Sequence, residues 1–276
     1  MSDESRITQE QKSQRSTSFG AAADAYERFR PGPPVALIEW MLVRHPATVV
    51  DLGAGTGALT KDLVGRVERV IAVEPDGRMR ELLRRNLPTV TALPGTGEAI
   101  PLDDVSVDAV IASSSWHWMD PEQTLAECAR IVRPGGTLGA VWTGPDPDGA
   151  FLSNAQNLMR QMSTSGAATL GGAESDTSVA DTVTDAPNRI EAVLHVPDGS
   201  GFSQPEHSFL TWDVALTADE LIGLLGTFSW IITLEEARKQ YVFSEARRVL
   251  KDGLGVHGDV TVDVQYRSEA WRSYRL

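Results

Sequence analysis

The chain is short of cysteine, since Cys128 is the only one in 276 residues. A single thiol excludes an internal disulfide and any zinc site built from several cysteines. Because Cys128 follows Leu125 in a helical apolar pattern, we interpret it as a small buried hydrophobe and not as a reactive thiol. The histidines are His45, His117, His195, His207 and His257. Their dispersal is not typical of a metal site, and we predict no bound metal.

Long apolar stretches are absent as well. No run of apolar residues is long enough to span a bilayer, and residues 1–18 are polar, without the apolar core of a signal peptide. We therefore predict no membrane partner and a cytoplasmic location. We also expect residues 1–18 to form a disordered tail.

Basic residues are outnumbered, because 25 lysines and arginines face 38 acids and the net charge is −13. A surface this negative repels phosphate backbones, which argues against a nucleic-acid partner. The densest group of arginines has the spacing of one solvated helix face, and we do not interpret it as a binding patch. Its members are Arg78, Arg80, Arg84 and Arg85.

Short apolar runs alternate with helical patterns through the first half of the chain. The five predicted strands cover residues 47–52, 69–74, 90–93, 107–113 and 137–142. Later strands are predicted near 209–212 and at 261–266, and later helices at 218–225 and 234–250. This order predicts an α/β fold with a doubly wound, mostly parallel sheet of seven strands and helices on both faces.

A glycine-rich turn follows the first predicted strand, at the edge where open α/β sheets bind ligands. Gly53, Gly55 and Ala58 satisfy the G-x-G-x-x-G/A pattern of dinucleotide-binding proteins, with Glu74 as the acid that would hold a ribose. Asp51, however, brings a carboxylate close to the turn, which suits a cationic ligand better than an anionic pyrophosphate. These residues alone are compatible with either a dinucleotide or a cationic ligand.

Four stretches resemble, in the same order, the motifs of class I S-adenosylmethionine-dependent methyltransferases of the type-11 group. This group includes the ubiquinone/menaquinone and trans-aconitate methyltransferases. The stretches are residues 49–57, 72–76, 95–102 and 130–138. The resemblance implies a Rossmann-like fold and S-adenosylmethionine as the cofactor, whose sulfonium and ammonium are both positive.

The resemblance also implies which residues bind the cofactor. Glu74 is expected to hold both ribose hydroxyls, and residues 95–102 are expected to frame the adenine. Thr96 stands where the family often has an aspartate, so the backbone amide of Gly97 is expected to serve the ring. The full predicted set is Asp51, Gly53, Ala54, Gly55, Gly57, Glu74, Pro75, Thr96, Gly97, Glu98 and Ser114.

A polar and aromatic stretch, residues 113–120, follows the fourth predicted strand, at the edge where substrates sit in this fold. Histidine is well suited to take a proton near neutral pH, so His117 is a candidate general base. A place in the pocket wall is the alternative for it. Asp120 is interpreted as the N-cap of the next helix. The candidate substrate residues are Tyr26, Arg30, Trp116, Trp118 and Trp230.

Four regions follow from this assignment. Residues 1–18 are the tail, 19–44 an N-terminal helical lid, and 45–143 the core that binds S-adenosylmethionine. Residues 144–276 form a region of cap helices that contacts substrate and supplies the final strands. Within it, residues 163–185 are rich in Ser, Thr, Gly and Ala, which predicts a flexible excursion.

We therefore predict an S-adenosylmethionine-dependent methyltransferase that acts on oxygen, nitrogen or a carboxylate of a small molecule. An NAD(P)-dependent oxidoreductase and a non-catalytic S-adenosylmethionine-binding module stay open as alternatives. The sequence does not identify the acceptor or the oligomeric state.

Overall fold

The computed structural model of the chain describes residues 31–149, 193–227, 231 and 234–276. The predicted tail, the first part of the predicted lid, residues 19–30, and the predicted excursion over 163–185 lie outside the described residues. The same holds for three of the candidate substrate residues, which are Tyr26, Arg30 and Trp230.

Four parallel strands form one half of the sheet. They are β1 Thr48–Leu52, β2 Arg69–Val73, β3 Thr91–Leu93 and β4 Val107–Ser113. Most residues of β1, β2 and β4 are buried, as expected for apolar strands covered on both faces. β1 pairs with β2 on one side and with β4 on the other, so the carboxyl ends of these three strands meet at one edge.

Four of the described helices accompany these strands, and the last three follow β1, β2 and β4. They are α1 Val35–Met41, α2 Thr60–Leu63, α3 Gly77–Asn86 and α4 Pro121–Ile131. Asp76 caps α3 by accepting from the amides of Arg78 and Met79. Asp120 caps α4 by accepting from the amide of Gln123, which confirms its predicted role.

Three longer strands complete the sheet, and they are β5 Val132–Pro145, β6 Glu206–Thr217 and β7 Thr261–Tyr274. Across the described residues the sheet has seven strands in the order β3-β2-β1-β4-β5-β7-β6. The fold class is therefore confirmed. The order reverses direction between β1 and β4, and such a switch point is where this class of sheet binds ligands.

Three strand predictions are too short. The strand predicted near 209–212 extends as β6 from Glu206 to Thr217. The other two differ for local reasons. β5 begins at Val132 because Val132 already pairs with Val107 of β4, ahead of an irregularity of register. The predicted strand ends at residue 266 because buried serines interrupt the apolar alternation, whereas β7 extends to Tyr274. Ser268 shares a hydrogen bond of 2.7 Å with Thr143, which satisfies a hydroxyl that the hydrophobic pattern counts as exposed.

The described residues fall into two compact units. One unit holds residues 31–143, 193–210 and 268–276, and it contains the whole carboxyl edge of β1 to β4. Its core includes Leu37, Ile38 and Met41 of α1 together with Val49 and Ile111 of the sheet. The residues predicted as one region, 144–276, are thus shared between the two units.

The second unit holds residues 144–149, 211–227, 231 and 234–267. It contains α5 Ala218–Leu225 and α6 Glu236–Leu254, close to their predicted positions. Thr217 and Glu220 form a reciprocal capping box at the start of α5. Ile222 and Ala246 belong to the small apolar cluster of this unit.

Candidate functional site

The loop after β1 and the turn after β4 touch so closely that only glycine fits between them. Gly53 has φ +71°, and a Cβ at this position would lie 2.5 Å from the Cβ of Ser115. Ser115 is buried, and its Oγ donates to the carbonyl oxygen of Leu52 at 2.6 Å. The glycine therefore permits a contact that fixes these two segments against each other.

Three amide hydrogens of the glycine turn, those of Gly53, Ala54 and Gly55, are already bonded inside the protein. Those of Gly53 and Ala54 both donate to the carbonyl oxygen of Val73, at 2.8 and 3.1 Å. That of Gly55 donates to Oε2 of Glu74 at 2.8 Å. A pyrophosphate site needs such amides as its own donors, and it is poorly served by a carboxylate among them. This turn is therefore a poor site for a dinucleotide.

The third glycine of the turn has a packing role. Gly57 has φ +102°, and a Cβ there would lie 3.1 Å from Leu87 and 3.3 Å from Leu83. The leucines lie in and just after α3. Gly57 thus lets α3 approach the turn, and direct contact with a ligand stays a prediction.

Glu74 follows β2 and is held in one orientation. Its side chain is 6% exposed, Oε2 accepts from Gly55, and Oε1 accepts from the amide of Asp76 at 2.8 Å. Arg80 donates to the carbonyl oxygen of Glu74 at 2.6 Å. Burial raises the pKa of the Glu74 carboxyl, while the amides of Asp76 and Gly55 and the charge of Arg80 oppose that rise. The result is a fixed acid at the carboxyl edge.

Asp51 lies beneath the turn and not on its surface. Its side chain is 1% exposed, and Oδ2 accepts from the hydroxyl of Thr60 at 2.6 Å. Among the described residues Oδ1 has no hydrogen-bond partner. Burial raises the pKa of Asp51 to about 7, with a smaller contribution from nearby Glu74. A buried carboxyl with one oxygen unsatisfied is a costly arrangement, and a cationic ligand close by would lower that cost.

The loop after β3 is fastened to the turn after β4. A Cβ on Gly97 would lie 2.6 Å from both the sulfur of Met119 and the hydroxyl of Thr124, so this position must be glycine. Next to it, Oε1 of Glu98 accepts from the amide of Asp120 at 2.6 Å. The predicted adenine frame is therefore attached to the segment that carries His117.

Three further residues of the predicted cofactor set lie at the same edge. Pro75 directly follows Glu74, and Thr96 closes a tight turn by accepting from the amide of Ala99 at 3.3 Å. Ser114 has φ +50°, which a residue other than glycine rarely adopts. This conformation changes the direction of the chain directly after β4.

The stretch predicted to face the acceptor contains a 3₁₀ turn over Trp116–Trp118. Trp116 is buried, whereas His117 and Trp118 are half-buried. The rings of His117 and Trp118 lie 4.6 Å apart between centroids. Nδ1 of His117 accepts a hydrogen bond from Nε1 of Trp142 at 3.1 Å.

All the predicted site residues that the structure describes lie at or beneath the carboxyl edge of one unit. Sequence reasoning missed three residues there: Ser115, Met119 and Trp142. Ser115 and Met119 lie next to the predicted site residues Ser114 and Trp118, but contact across the sheet edge leaves no signal in one sequence. Trp142 could only be recognised as the end of a strand.

The comparisons with known proteins agree with this geometry. A family model described as a methyltransferase domain matches residues 50–140. A methyltransferase of Mycobacterium tuberculosis, itself uncharacterized, is 37% identical over 235 residues, which is 85% of this chain and 86% of that protein. A malonyl-[acyl-carrier protein] O-methyltransferase of Methylococcus capsulatus is 33% identical over 138 residues, 44% of this chain and 48% of that protein.

Two solved structures extend the likeness to the fold. A type II methyltransferase structure from Anaeromyxobacter dehalogenans gives a TM-score of 0.60 at 26% identity and covers 90% of this chain and 98% of that one. Phosphoethanolamine N-methyltransferase 2 of Haemonchus contortus was solved in complex with S-adenosyl-L-methionine. It gives a TM-score of 0.51 at 13% identity, covering 98% of this chain and 60% of that one, and so shows the fold alone.

The sheet order and the glycine turn beside a strand-end acid define a class I S-adenosylmethionine-dependent methyltransferase. The chain belongs to the methyltransferase family of the type-11 group, and its cofactor is S-adenosylmethionine. The resemblance read from its motifs is thereby confirmed, and the nicotinamide alternative is set aside.

No group of three or more His, Cys, Asp and Glu side chains in the described part of the chain is arranged to hold a metal ion. None of the helices described above is long and apolar enough to cross a membrane.

Asp51→Asn tests the burial of this carboxyl. The folded protein holds the Asp51 proton more tightly than the unfolded chain, because burial raises the pKa from 3.8 to about 7. The stabilisation that results is complete below about pH 4 and is lost as the pH rises through about 7. We expect the free energy of unfolding of the wild type to fall relative to Asp51→Asn over this range, by about 3–4 kcal/mol.

Urea unfolding at pH values from about 4 to 8 measures this difference. Asp103→Asn, which removes an exposed carboxylate, corrects for the change in net charge. A difference between the wild type and Asp51→Asn that does not depend on pH would contradict the account of Asp51.

Proposed function

We propose that this methyltransferase methylates an oxygen atom of a small molecule, and that a carboxylate is its acceptor. The observation that carries the proposal is the carboxyl edge itself. A fixed acid and a glycine turn whose amides at Gly53, Ala54 and Gly55 are already bonded lie beside the aromatic turn that holds His117. The O-methyltransferase named among the relatives supports oxygen as the acceptor atom.

Glu74 is proposed to hold the ribose. An ionised carboxylate has about four acceptor positions, and the amides of Gly55 and Asp76 use one on each oxygen. The remaining positions suit two neighbouring hydroxyls. Because the protein itself fixes the carboxylate, little freedom is lost when the ribose binds.

The charge at the edge suits a cation. S-adenosylmethionine carries its methyl group on a positively charged sulfur, from which an oxygen can take it in a single displacement. Glu74 contributes negative charge near the turn, where the low dielectric strengthens attraction. The more deeply buried Asp51, whose pKa burial raises to about 7, would ionise more readily beside a bound cation. A carboxylate acceptor would be drawn to the same positive centre.

The adenine is proposed to lie against the loop after β3. Thr96 and Gly97 supply backbone groups there, and Glu98 is already committed to the amide of Asp120. Because Met119 and Thr124 close the space beside Gly97, a side chain at that position would displace the loop. We expect shape and backbone hydrogen bonds to dominate recognition of the ring.

The acceptor is proposed to lie against the turn over Trp116–Trp118. The tryptophan rings offer apolar walls, and His117 offers a polar group between them. Close in-line placement of nucleophile and methyl group can supply much of the rate by itself. A general base at His117 stays a prediction, and a carboxylate acceptor would not require one.

Glu74→Ala tests the ribose contact. We expect S-adenosylhomocysteine to bind about 30- to 150-fold more weakly, because charge-assisted hydrogen bonds worth about 2–3 kcal/mol are lost. Isothermal calorimetry measures the affinity, and circular dichroism checks that the variant folds. Glu81→Ala on α3 is the matched control, since its carboxylate is half-exposed and forms an ion pair with Arg85 at 3.2 Å. An unchanged affinity in Glu74→Ala would remove Glu74 from the site.

The acceptor is tested with methyl-labelled S-adenosylmethionine and a panel of small carboxylic acids, phenols, alcohols and amines. We expect label to enter carboxylic acids and to be released as methanol by mild base, as only methyl esters allow. Glu74→Ala serves as the inactive control. Base-stable label in amines or phenols would overturn the carboxylate proposal. No transfer to any class by a protein that binds S-adenosylhomocysteine would contradict the proposal of a small-molecule acceptor.

A further inference from the structure

The hydrogen bond between His117 and Trp142 has only one possible direction. Nε1 of an indole carries a hydrogen and has no lone pair to offer, so it can only donate. Its partner 3.1 Å away is Nδ1 of His117, which must therefore accept and cannot carry a proton. In a neutral imidazole the single proton then lies on Nε2.

We infer that Trp142 is a positioning residue that holds His117 in the tautomer with its proton on Nε2. In that form Nε2 of the ring is a hydrogen-bond donor toward an acceptor oxygen, not a base that removes a proton. The inference rests on the proposed function for the identity of the acceptor, though the tautomer itself does not depend on it.

Both partners are anchored by neighbouring strands. Trp142 lies in β5 and is 8% exposed, so its ring has little room to turn. The preceding residue, Val141, pairs with Ser113 at the end of β4, and its carbonyl oxygen accepts from the amide of Ser114 at 2.7 Å. The turn that carries His117 starts directly after this pairing. The sheet therefore sets the distance between the indole and the imidazole.

The tautomer has a chemical consequence. To take a proton on Nδ1, His117 would have to break its bond with Trp142, and Nε2 already carries a proton. A carboxylate needs no such transfer, because its oxygen supplies the electron pair of the new C–O bond. The electron pair of the broken S–C bond stays on sulfur, and no proton moves. A donor that orients the carboxylate fits this reaction better than a base does.

Nuclear magnetic resonance of the unliganded chain tests the tautomer without any acceptor. With ¹⁵N-labelled histidine, long-range ¹H–¹⁵N spectra separate protonated from unprotonated ring nitrogens. Five histidines are present, and the signals absent from His117→Gln identify the ring of interest. We expect an unprotonated Nδ1 and a protonated Nε2 at neutral pH. A proton on Nδ1, or an average of both tautomers, would overturn the inference.

Trp142→Phe tests the assigned cause. It keeps an aromatic ring in the buried site but removes the donor, so we expect the His117 signals to move to an average of two tautomers. Trp118→Phe is the matched control, because Trp118 touches the same imidazole through its ring and does not donate to Nδ1. His117 signals unchanged in Trp142→Phe, or equally changed in both variants, would overturn the assignment to Trp142.

Kinetics with the acceptor found by the labelling screen test the role. His117→Gln retains an N–H donor, whereas His117→Leu does not. We expect His117→Leu to lower kcat/KM for the acceptor roughly 3- to 10-fold more than His117→Gln, as for one neutral hydrogen bond. A loss of about 10²- to 10⁴-fold in both variants is the signature of a general base and would overturn the donor role.

Discussion

The site depends on the two hydrogen bonds that the Glu74 carboxylate accepts from the amides of Gly55 and Asp76. Through them one side chain joins the glycine turn after β1 to the loop after β2. The same contact keeps an acid, and not an anion-binding set of amides, at the face of the turn. These two hydrogen bonds therefore set the shape of the edge and favour a ligand with positive charge there.

Other contacts extend this arrangement from the loops proposed to bind the cofactor to the turn proposed to face the acceptor. The approach of Gly53 to Ser115 joins the turn after β1 to the turn after β4, and Glu98 joins the loop after β3 to Asp120. The first contact requires a glycine at position 53, and the second requires a carboxylate at position 98. The edge behaves as one connected surface because its loops are bonded to one another and not merely close in space.

Local patterns in the sequence predicted the parallel half of the fold well, since buried parallel strands are continuous apolar runs and helices have caps. Buried serines hid the end of β7, because hydroxyls that bond across strands look like exposed residues in one sequence. The motifs predicted Glu74 and the glycines. They could not show that Asp51 is buried beneath the turn, or that Trp142 meets His117, because both depend on packing between distant segments.

The central claim is that Glu74, already bonded to Gly55 and Asp76, receives the ribose of the cofactor. A crystal structure of the complex with S-adenosylhomocysteine tests this most directly. The account predicts both ribose hydroxyls within hydrogen-bond distance of the Glu74 carboxylate, about 3 Å, with the two amide bonds retained. A ribose bound by other residues, or a Glu74 side chain that leaves Gly55 and Asp76 on binding, would contradict it.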